Sequence, residues 1–106
     1  MKAYAVAIIR ETQFNDDVAN YLRRIDETLL PFSGKYIVHG GPYHPLEGEW
    51  VGDMVMIEFP SMEKATGWYQ SEAYSAIRAL RTANTRGDVM LVQGVPEGHQ
   101  GADILK

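Results

Sequence analysis

The stretch that decides the fold is DMVMIEFPSMEKATGWYQSEAYSAIRAL, residues 53–80. Its first part, DMVMIEFP over residues 53–60, has the apolar, β-branched and aromatic content of a strand. Successive side chains point to opposite faces of a strand. Two sets therefore face opposite sides of the sheet: Val55, Ile57 and Phe59 on one side, and Met54, Met56 and Glu58 on the other.

A helical region follows this strand and extends to about Asn84. Ser61 stands where a helix N-cap is needed, with Glu63 in the first turn, where a negative charge suits the helix dipole. Ser71 can cap again, and the pattern therefore predicts a kink at Gln70 and Ser71. The apolar positions recur at helical spacing on both sides of the kink: Met62, Ala65, Trp68 and Tyr69 before it, then Tyr74, Ile77 and Leu80 or Arg81.

The same criteria predict the helices and strands in the rest of the chain. A helix from Asp17 to Pro31 is predicted by an apolar stripe made of Val18, Tyr21, Leu22, Ile25 and Leu29. The predicted strands are KAYAVAIIR at residues 2–10, GKYIVHGG at 34–41 and GDVMLVQGV at 87–95. A loop rich in Pro and Gly fills residues 42–52, and such a long loop between strands is often functional.

The element order predicts an α+β fold of ferredoxin-like βαββαβ topology, an antiparallel four-stranded sheet with both helices on one face. We expect a single domain at residues 1–95 and a polar C-terminal tail at residues 96–106. The sheet face without helices still carries Met54, Met56, Met90 and Val92. So much apolar surface is normally covered, and we expect a second copy of the chain to cover it in a homodimer.

Composition excludes several classes of protein. The 106 residues carry a formal charge of -4, the wrong sign for a protein that binds the phosphates of nucleic acid. The absence of cysteine excludes disulfides and thiolate catalysis. The longest apolar run near the start, Ala3 to Ile9, is too short for a membrane span or a signal peptide, and we expect no membrane association and a cytoplasmic location.

The chain resembles the domain-of-unknown-function 1330 family of the dimeric α/β-barrel superfamily. GKYIVHGG, LEGEW, IEFPS, WYQSEAY and DVMLVQGV carry the likeness, which runs from Ala3 to Val95. It implies a ferredoxin-like protomer and a barrel-shaped dimer but no particular reaction. Relatives across the superfamily include monooxygenases and isomerases. Where family members commonly carry basic residues, this chain has His39 and Asp53, which implies a less negative ligand.

His39 is the candidate catalytic residue. It ends the second strand beside a loop that contains His44, Glu47 and Glu49. Histidine changes its protonation state near neutral pH and can transfer protons. The alternatives are a metal site and an ordinary polar loop. The spacing matches no established ligand signature, so we expect no metal and no other cofactor.

The aromatic residues are candidates for a ligand pocket. Tyr36, Trp68, Tyr69 and Tyr74 would offer flat apolar contacts and hydroxyl donors, although aromatics at helical spacing more often form plain core. Trp50 lies in a loop and is harder to explain as core. It either caps a pocket or packs across a dimer contact, where tryptophan is enriched.

Two charged residues complete the candidate ligand-binding set. Glu58 is either a buried base with a raised pKa or, as we favour, a structural carboxylate paired with Arg78 or Arg81. Arg81 could bind a ligand carboxylate through its fork of donors. Ser61 and Ser71 sit where helix caps are needed and are not nucleophile candidates.

The sequence therefore favours a small-molecule-binding protein. One hypothesis is a cofactor-independent enzyme of isomerase, lyase or monooxygenase type that acts on an apolar or aromatic metabolite. The alternative is a dimer that binds a ligand without catalysis, or a structural interaction module with a filled core. No phosphate-binding glycine loop or nucleophile elbow is present to narrow the choice.

Overall fold

The computed structural model describes all residues, Met1–Lys106. Four strands and three α-helices follow one another in the order β1 Ala3–Thr12, α1 Asp16–Leu29, β2 Lys35–His39, β3 Asp53–Phe59, α2 Met62–Gln70, α3 Glu72–Thr82 and β4 Thr85–Gln93. Short 3-10 helices occupy Leu30–Phe32 and Gly101–Leu105. The tail thus contains a short helical turn. No helix combines the length and the apolar content that a membrane span requires.

The four strands form one antiparallel sheet in the order β2-β3-β1-β4. The first strand is central and pairs with both β3 and β4, so that Ala5 stands opposite Ile57 on one side and Leu91 on the other. This arrangement confirms the predicted α+β, ferredoxin-like class. The strands β2 and β4 are the sheet edges.

Side-chain caps set the helix boundaries. The Asn15 side chain accepts a hydrogen bond from the Val18 amide, and Ser61 does the same for Lys64, each at 3.1 Å. Ser71 ends α2 and begins α3: its hydroxyl donates to the Trp68 carbonyl at 2.7 Å and accepts from the Tyr74 amide at 3.2 Å. The predicted kink is therefore a complete break between two helices.

The hydrophobic core lies between the helices and one face of the sheet. Phe59 and Ile57 are buried there, as the alternation along β3 predicts. They pack with buried residues from β1 and the helices, including Ala3, Ala5, Tyr21, Ile25, Leu29, Ala65, Trp68, Tyr74 and Ile77.

The strands β1 and β4 are longer than predicted at the end near α1. The pairing shifts register between Ile9 and Glu11 and then continues to Thr12 and Thr85. Gly87 makes this close approach feasible, since a Cβ atom there would lie 2.1 Å from the Ile8 carbonyl oxygen. A β-bulge of this kind is common next to functional sites.

The face of the sheet without helices carries the predicted apolar side chains, together with the predicted carboxylate of Glu58. Met90 and Val92 are exposed there, with relative accessibilities of 56% and 42%. The strand registers place further apolar side chains on the same face, which we call the open face: Tyr4, Val6, Ile8, Val38, Met54 and Met56.

Candidate functional site

A cleft of ≈ 290 Å³ opens between the helix-covered face of the sheet and helices α1 and α3. It is lined by 21 residues, of which 15 are hydrophobic. Its volume lies at the lower end of the range of small-molecule pockets, roughly 300–1,000 Å³, and its few polar groups among apolar walls are typical of such pockets. The cleft is therefore the candidate ligand site.

Two tyrosines join the helices across this cleft. The hydroxyl oxygens of Tyr21 on α1 and Tyr74 on α3 lie 2.7 Å apart. Both side chains are buried and line the cleft. Burial, reinforced by the neighbouring Tyr74, raises the pKa of Tyr21 far above its ordinary value, so this phenol remains protonated and can donate a hydrogen bond.

Arg81 adds a positive charge to the lining. It lies two turns after Tyr74 on α3, and its Nη2 donates to the Tyr74 hydroxyl at 3.4 Å. The guanidinium carbon lies 5.8 Å from the centre of the Tyr21 ring. Burial alone would lower the pKa of Arg81, but interactions with the two tyrosines outweigh it and raise the pKa, which keeps the group charged.

Tyr36 and His39 come from β2 and also line the cleft. Their rings stack with centres 4.4 Å apart and planes 17° apart. Burial, followed by the charge of Asp26, raises the pKa of Tyr36 well above its ordinary value. His39 is exposed and forms no ion pair with a carboxylate, so it lies at the rim of the cleft.

Trp68 belongs to both the core and the cleft. It is 3% exposed, and its ring lies 4.1 Å from that of Tyr74. Its indole N–H donates to the Thr28 hydroxyl at 2.9 Å, and Thr28 in turn donates to the Ile25 carbonyl. Trp68 and Tyr74 are both members of the hydrophobic core and both line the cleft.

Three of the candidate residues lie outside the cleft. The Tyr69 ring packs beside Trp68 and under the guanidinium of Arg78, 4.7 Å from the ring centre. Trp50 packs on Tyr43, and its N–H donates to the Gly52 carbonyl at 2.7 Å. Glu58 is on the open face of the sheet. None of the three is among the residues that line the cleft.

The predicted partners of Glu58 are wrong. Its carboxylate pairs with Lys2 and, at 3.5 Å, with Lys35, because β1 and β2 place these lysines on the same open face. Arg78 and Arg81 lie on the other side of the sheet. The alternative of a base with a raised pKa is also wrong, since the hydrogen bond from Lys2 lowers the pKa of Glu58 below its ordinary value.

The loop residues His44, Glu47 and Glu49 do not gather around His39. No group of three or more His, Cys, Asp or Glu side chains in the chain is close enough together to hold a metal ion. His44, Glu47 and Glu49 are exposed, and none of them lines the cleft. These three loop residues therefore lie outside the candidate site.

Part of the site is not predicted by the sequence. The sequence pattern places Tyr21 only in the apolar stripe of α1, although a hydroxyl in the middle of a buried stripe is a signal that a polar partner is needed. Phe14 also lines the cleft while 78% exposed, and Asp53 contributes a carboxylate at the start of β3. No pattern in the sequence points to Phe14, whereas Asp53 stands out only as a departure from the basic residue that is common in the family.

The fold and the cleft define a ferredoxin-like α+β protein with a ligand-sized pocket between its sheet and its helices. A family model, the domain of unknown function DUF1330, matches residues 2–95. The chain belongs to that family. No curated protein sequence matches the chain at a significant level.

Solved structures share the fold at low sequence identity. A protein of unknown function from Rhodopseudomonas palustris, RPA0582, is 16% identical with a TM-score of 0.66, over 90% of this chain and 83% of its own. A dimeric ferredoxin-like protein of unknown function from Jannaschia sp. is 10% identical with a TM-score of 0.64, and the match covers 89% of this chain and 100% of that protein. SnoaB, a cofactor-independent oxygenase from Streptomyces nogalater, is 6% identical with a TM-score of 0.61, and the match covers 93% of this chain and 98% of SnoaB.

Proposed function

We propose that this protein is a homodimer in which each protomer binds a small apolar or aromatic metabolite in the cleft between its sheet and α1 and α3. The observation that carries the proposal is the cleft itself, an apolar volume of ≈ 290 Å³ with a tyrosine pair and an arginine in its lining. A protomer built only as a structural module would fill this space with side chains.

Catalysis without a cofactor is the chemical part of the proposal. The cleft offers a histidine at its rim and protonated phenols inside it, and these groups can move a proton or hold a developing negative charge on a bound ligand. An isomerase, lyase or monooxygenase could work with such groups. SnoaB shows that a protein of this fold can be a cofactor-independent oxygenase, but the similarity to this chain is one of fold.

The homodimer is proposed from the open face. Its exposed Met90 and Val92 continue an apolar surface across all four strands, and burying it would be favourable. Two neighbouring folds, from Jannaschia sp. and Thermobifida fusca, are described as dimeric. We further propose that residues 1–95 form the domain, that residues 96–106 are a tail, and that the protein is cytoplasmic, which cell fractionation tests.

Native mass spectrometry of the purified protein tests the binding proposal. We expect the mass of a dimer plus one small molecule for each protomer. The Ala7→Leu variant, whose larger side chain fills part of the cleft, should lose this small molecule. The released molecule is then incubated with fresh protein. A chemical change that His39→Ala slows by roughly 10²-fold or more, and that the control His44→Ala leaves intact, supports proton transfer by His39.

A second candidate is binding without catalysis. The observation that favours it is the environment of His39, which is exposed and has a tyrosine ring as its neighbour but no carboxylate partner to orient it. Catalytic histidines usually have such an orienting group. A retained ligand that the protein leaves unaltered, or turnover that His39→Ala does not change, would favour this second candidate.

A further inference from the structure

We propose that the cleft takes an aromatic ligand that carries a single ionised oxygen, a carboxylate or a phenolate, and that Arg81 and the Tyr74 hydroxyl bind this oxygen. The inference rests on the proposed function, because it names the chemical class of ligand for the same cleft. It also assigns the two residues that select that class.

Arg81 carries a positive charge without a counter-charge. The ion pairs of the chain involve other residues, and no carboxylate lies within 4 Å of its guanidinium. Its one side-chain hydrogen bond, to Tyr74, is long at 3.4 Å. A guanidinium has five N–H donors, and a partly buried cation without an anionic partner is costly. An anionic oxygen in the cleft would supply the missing partner.

The hydrogen bonds to the Tyr74 oxygen leave the Tyr74 hydroxyl proton free for a ligand. Tyr21 remains protonated and lies 2.7 Å from Tyr74, so it can donate to the Tyr74 oxygen. Arg81 donates to the same oxygen. When Tyr74 accepts both bonds, its own proton is free for a third acceptor, and Tyr74 lines the cleft where a ligand would lie. Tyr74 and Arg81 then present two donors to one ligand oxygen.

The walls of the cleft define the rest of the ligand. The cleft walls are mainly apolar and include the rings of Trp68, Tyr74 and Tyr36, which favour flat aromatic groups. Arg81 is the only lysine or arginine in the lining, and Asp53 is its only carboxylate. Arg81 can pair with one negative charge, and the Asp53 carboxylate repels any further negative charge, so ligands with two or more negative charges are disfavoured. The resulting class is the aromatic monoanion.

The test compares ligands that differ only in charge. The full-length protein is titrated with 2-naphthoate and with its neutral analogue 2-naphthamide, and with 4-nitrophenol below and above the pH at which the phenol ionises. We expect the wild type to bind naphthoate, nitrophenolate or both roughly 10-fold to 100-fold more tightly than the neutral form, as charge-assisted hydrogen bonds predict. The naphthoate and nitrophenol arms distinguish a carboxylate ligand from a phenolate.

Variants assign the preference to Arg81. Arg81→Met should abolish the preference for the anion, while Arg81→Lys should retain part of that preference. The matched control is Arg78→Met on the same helix, because Arg78 packs on Tyr69 outside the cleft and should not affect the preference. Tyr74→Phe should reduce anion binding several-fold. Far-ultraviolet circular dichroism verifies that each variant is folded.

Two results would overturn the inference and leave the proposed function standing. One is equal binding of the anionic and neutral forms by the wild type in both arms. The other is a full preference for the anion in Arg81→Met, which would place the anion elsewhere. If neither the anions nor their neutral analogues bind, the inference fails, whereas the proposed function is decided separately by the retained ligand in native mass spectrometry.

Discussion

The Tyr21 and Tyr74 hydroxyls meet at 2.7 Å and form a direct polar link between helices α1 and α3. The two rings stand edge to face, with centres 6.1 Å apart and planes 69° apart. Both side chains are at least nine-tenths buried. This pair therefore helps to hold the helices at the separation that leaves the cleft open between them and the sheet.

The first prediction concerns the stability of this pair. Tyr74→Phe leaves the buried Tyr21 hydroxyl without its close partner, and we expect it to lower the free energy of unfolding by about 1–3 kcal/mol. The double variant with Tyr21→Phe should cost less than the sum of the two single changes, because it removes both polar groups. Urea denaturation measures all three. Strictly additive losses would show that the two hydroxyls are not coupled.

The second prediction separates the two tryptophans. Trp68 is 3% exposed and Trp50 is 41% exposed. The Trp50→Phe variant, whose emission comes from Trp68, should fluoresce at shorter wavelength and resist quenching by acrylamide. The Trp68→Phe variant should emit at longer wavelength and be quenched several-fold more efficiently. Similar quenching of both variants would contradict the placement of Trp68 between core and cleft.

The third prediction is the pH dependence that Glu58 contributes. Its pKa in the folded protein lies below the ordinary value of 4.5 because Lys2 and Lys35 hold the ionised form. The carboxylate therefore stabilises the fold above the unfolded-state pKa, and this contribution is lost as the pH falls through the lower folded-state pKa. The difference in unfolding free energy between wild type and Glu58→Gln should be constant near neutral pH and shrink below about pH 4.5.

Removing the lysines gives the control for Glu58. In a Lys2→Met, Lys35→Met background, Glu58→Gln should produce a much smaller pH-dependent difference, because the groups that lower the pKa are absent. Denaturant titrations from pH 3 to pH 7 provide the measurement. A Glu58 contribution that grows as the pH falls would have the wrong sign and would refute the assigned pairing.

The fourth prediction concerns the dimer. Met90→Glu places a charge at the open face, where the side chain is already 56% exposed in the protomer, so the fold should tolerate it. The contact between two protomers should not tolerate a buried, unpaired charge. Sedimentation velocity should therefore show the wild type as a dimer and the variant as a monomer at micromolar concentration. Leu30→Glu, also at an exposed apolar position, is the control and should remain dimeric. A monomeric wild type would contradict the homodimer.

Much of the fold could be predicted because its signals are local. Alternation along β3 assigned Ile57 and Phe59 to the core side, and Ser71 marked the boundary between α2 and α3 with its capping chemistry. The register shift after Ile9 lengthened β1 and β4 beyond their predicted ends. Such a shift depends on how two distant strands meet, which periodicity does not record.

The candidate site was only partly predictable because it depends on pairings between distant elements. Tyr74 and Arg81 were recognised, but their partner Tyr21 lies 53 residues from Tyr74 in the chain. The sequence suggests arginine partners on the helices for Glu58. In the structure β3 places Glu58 on the open face of the sheet, where its partners are Lys2 and Lys35. The space left between packed helices is likewise a product of tertiary structure, so no sequence pattern reveals the cleft.

The most direct test of the central claim is amide chemical-shift mapping by nuclear magnetic resonance during titration with 2-naphthoate and 2-naphthamide. The account predicts saturable shifts that cluster on β1, α1 and α3 around Ala7, Tyr21 and Tyr74, with little change at Met90 on the open face. Shifts centred on the open face, or no saturable shift with either compound, would contradict a ligand-binding cleft.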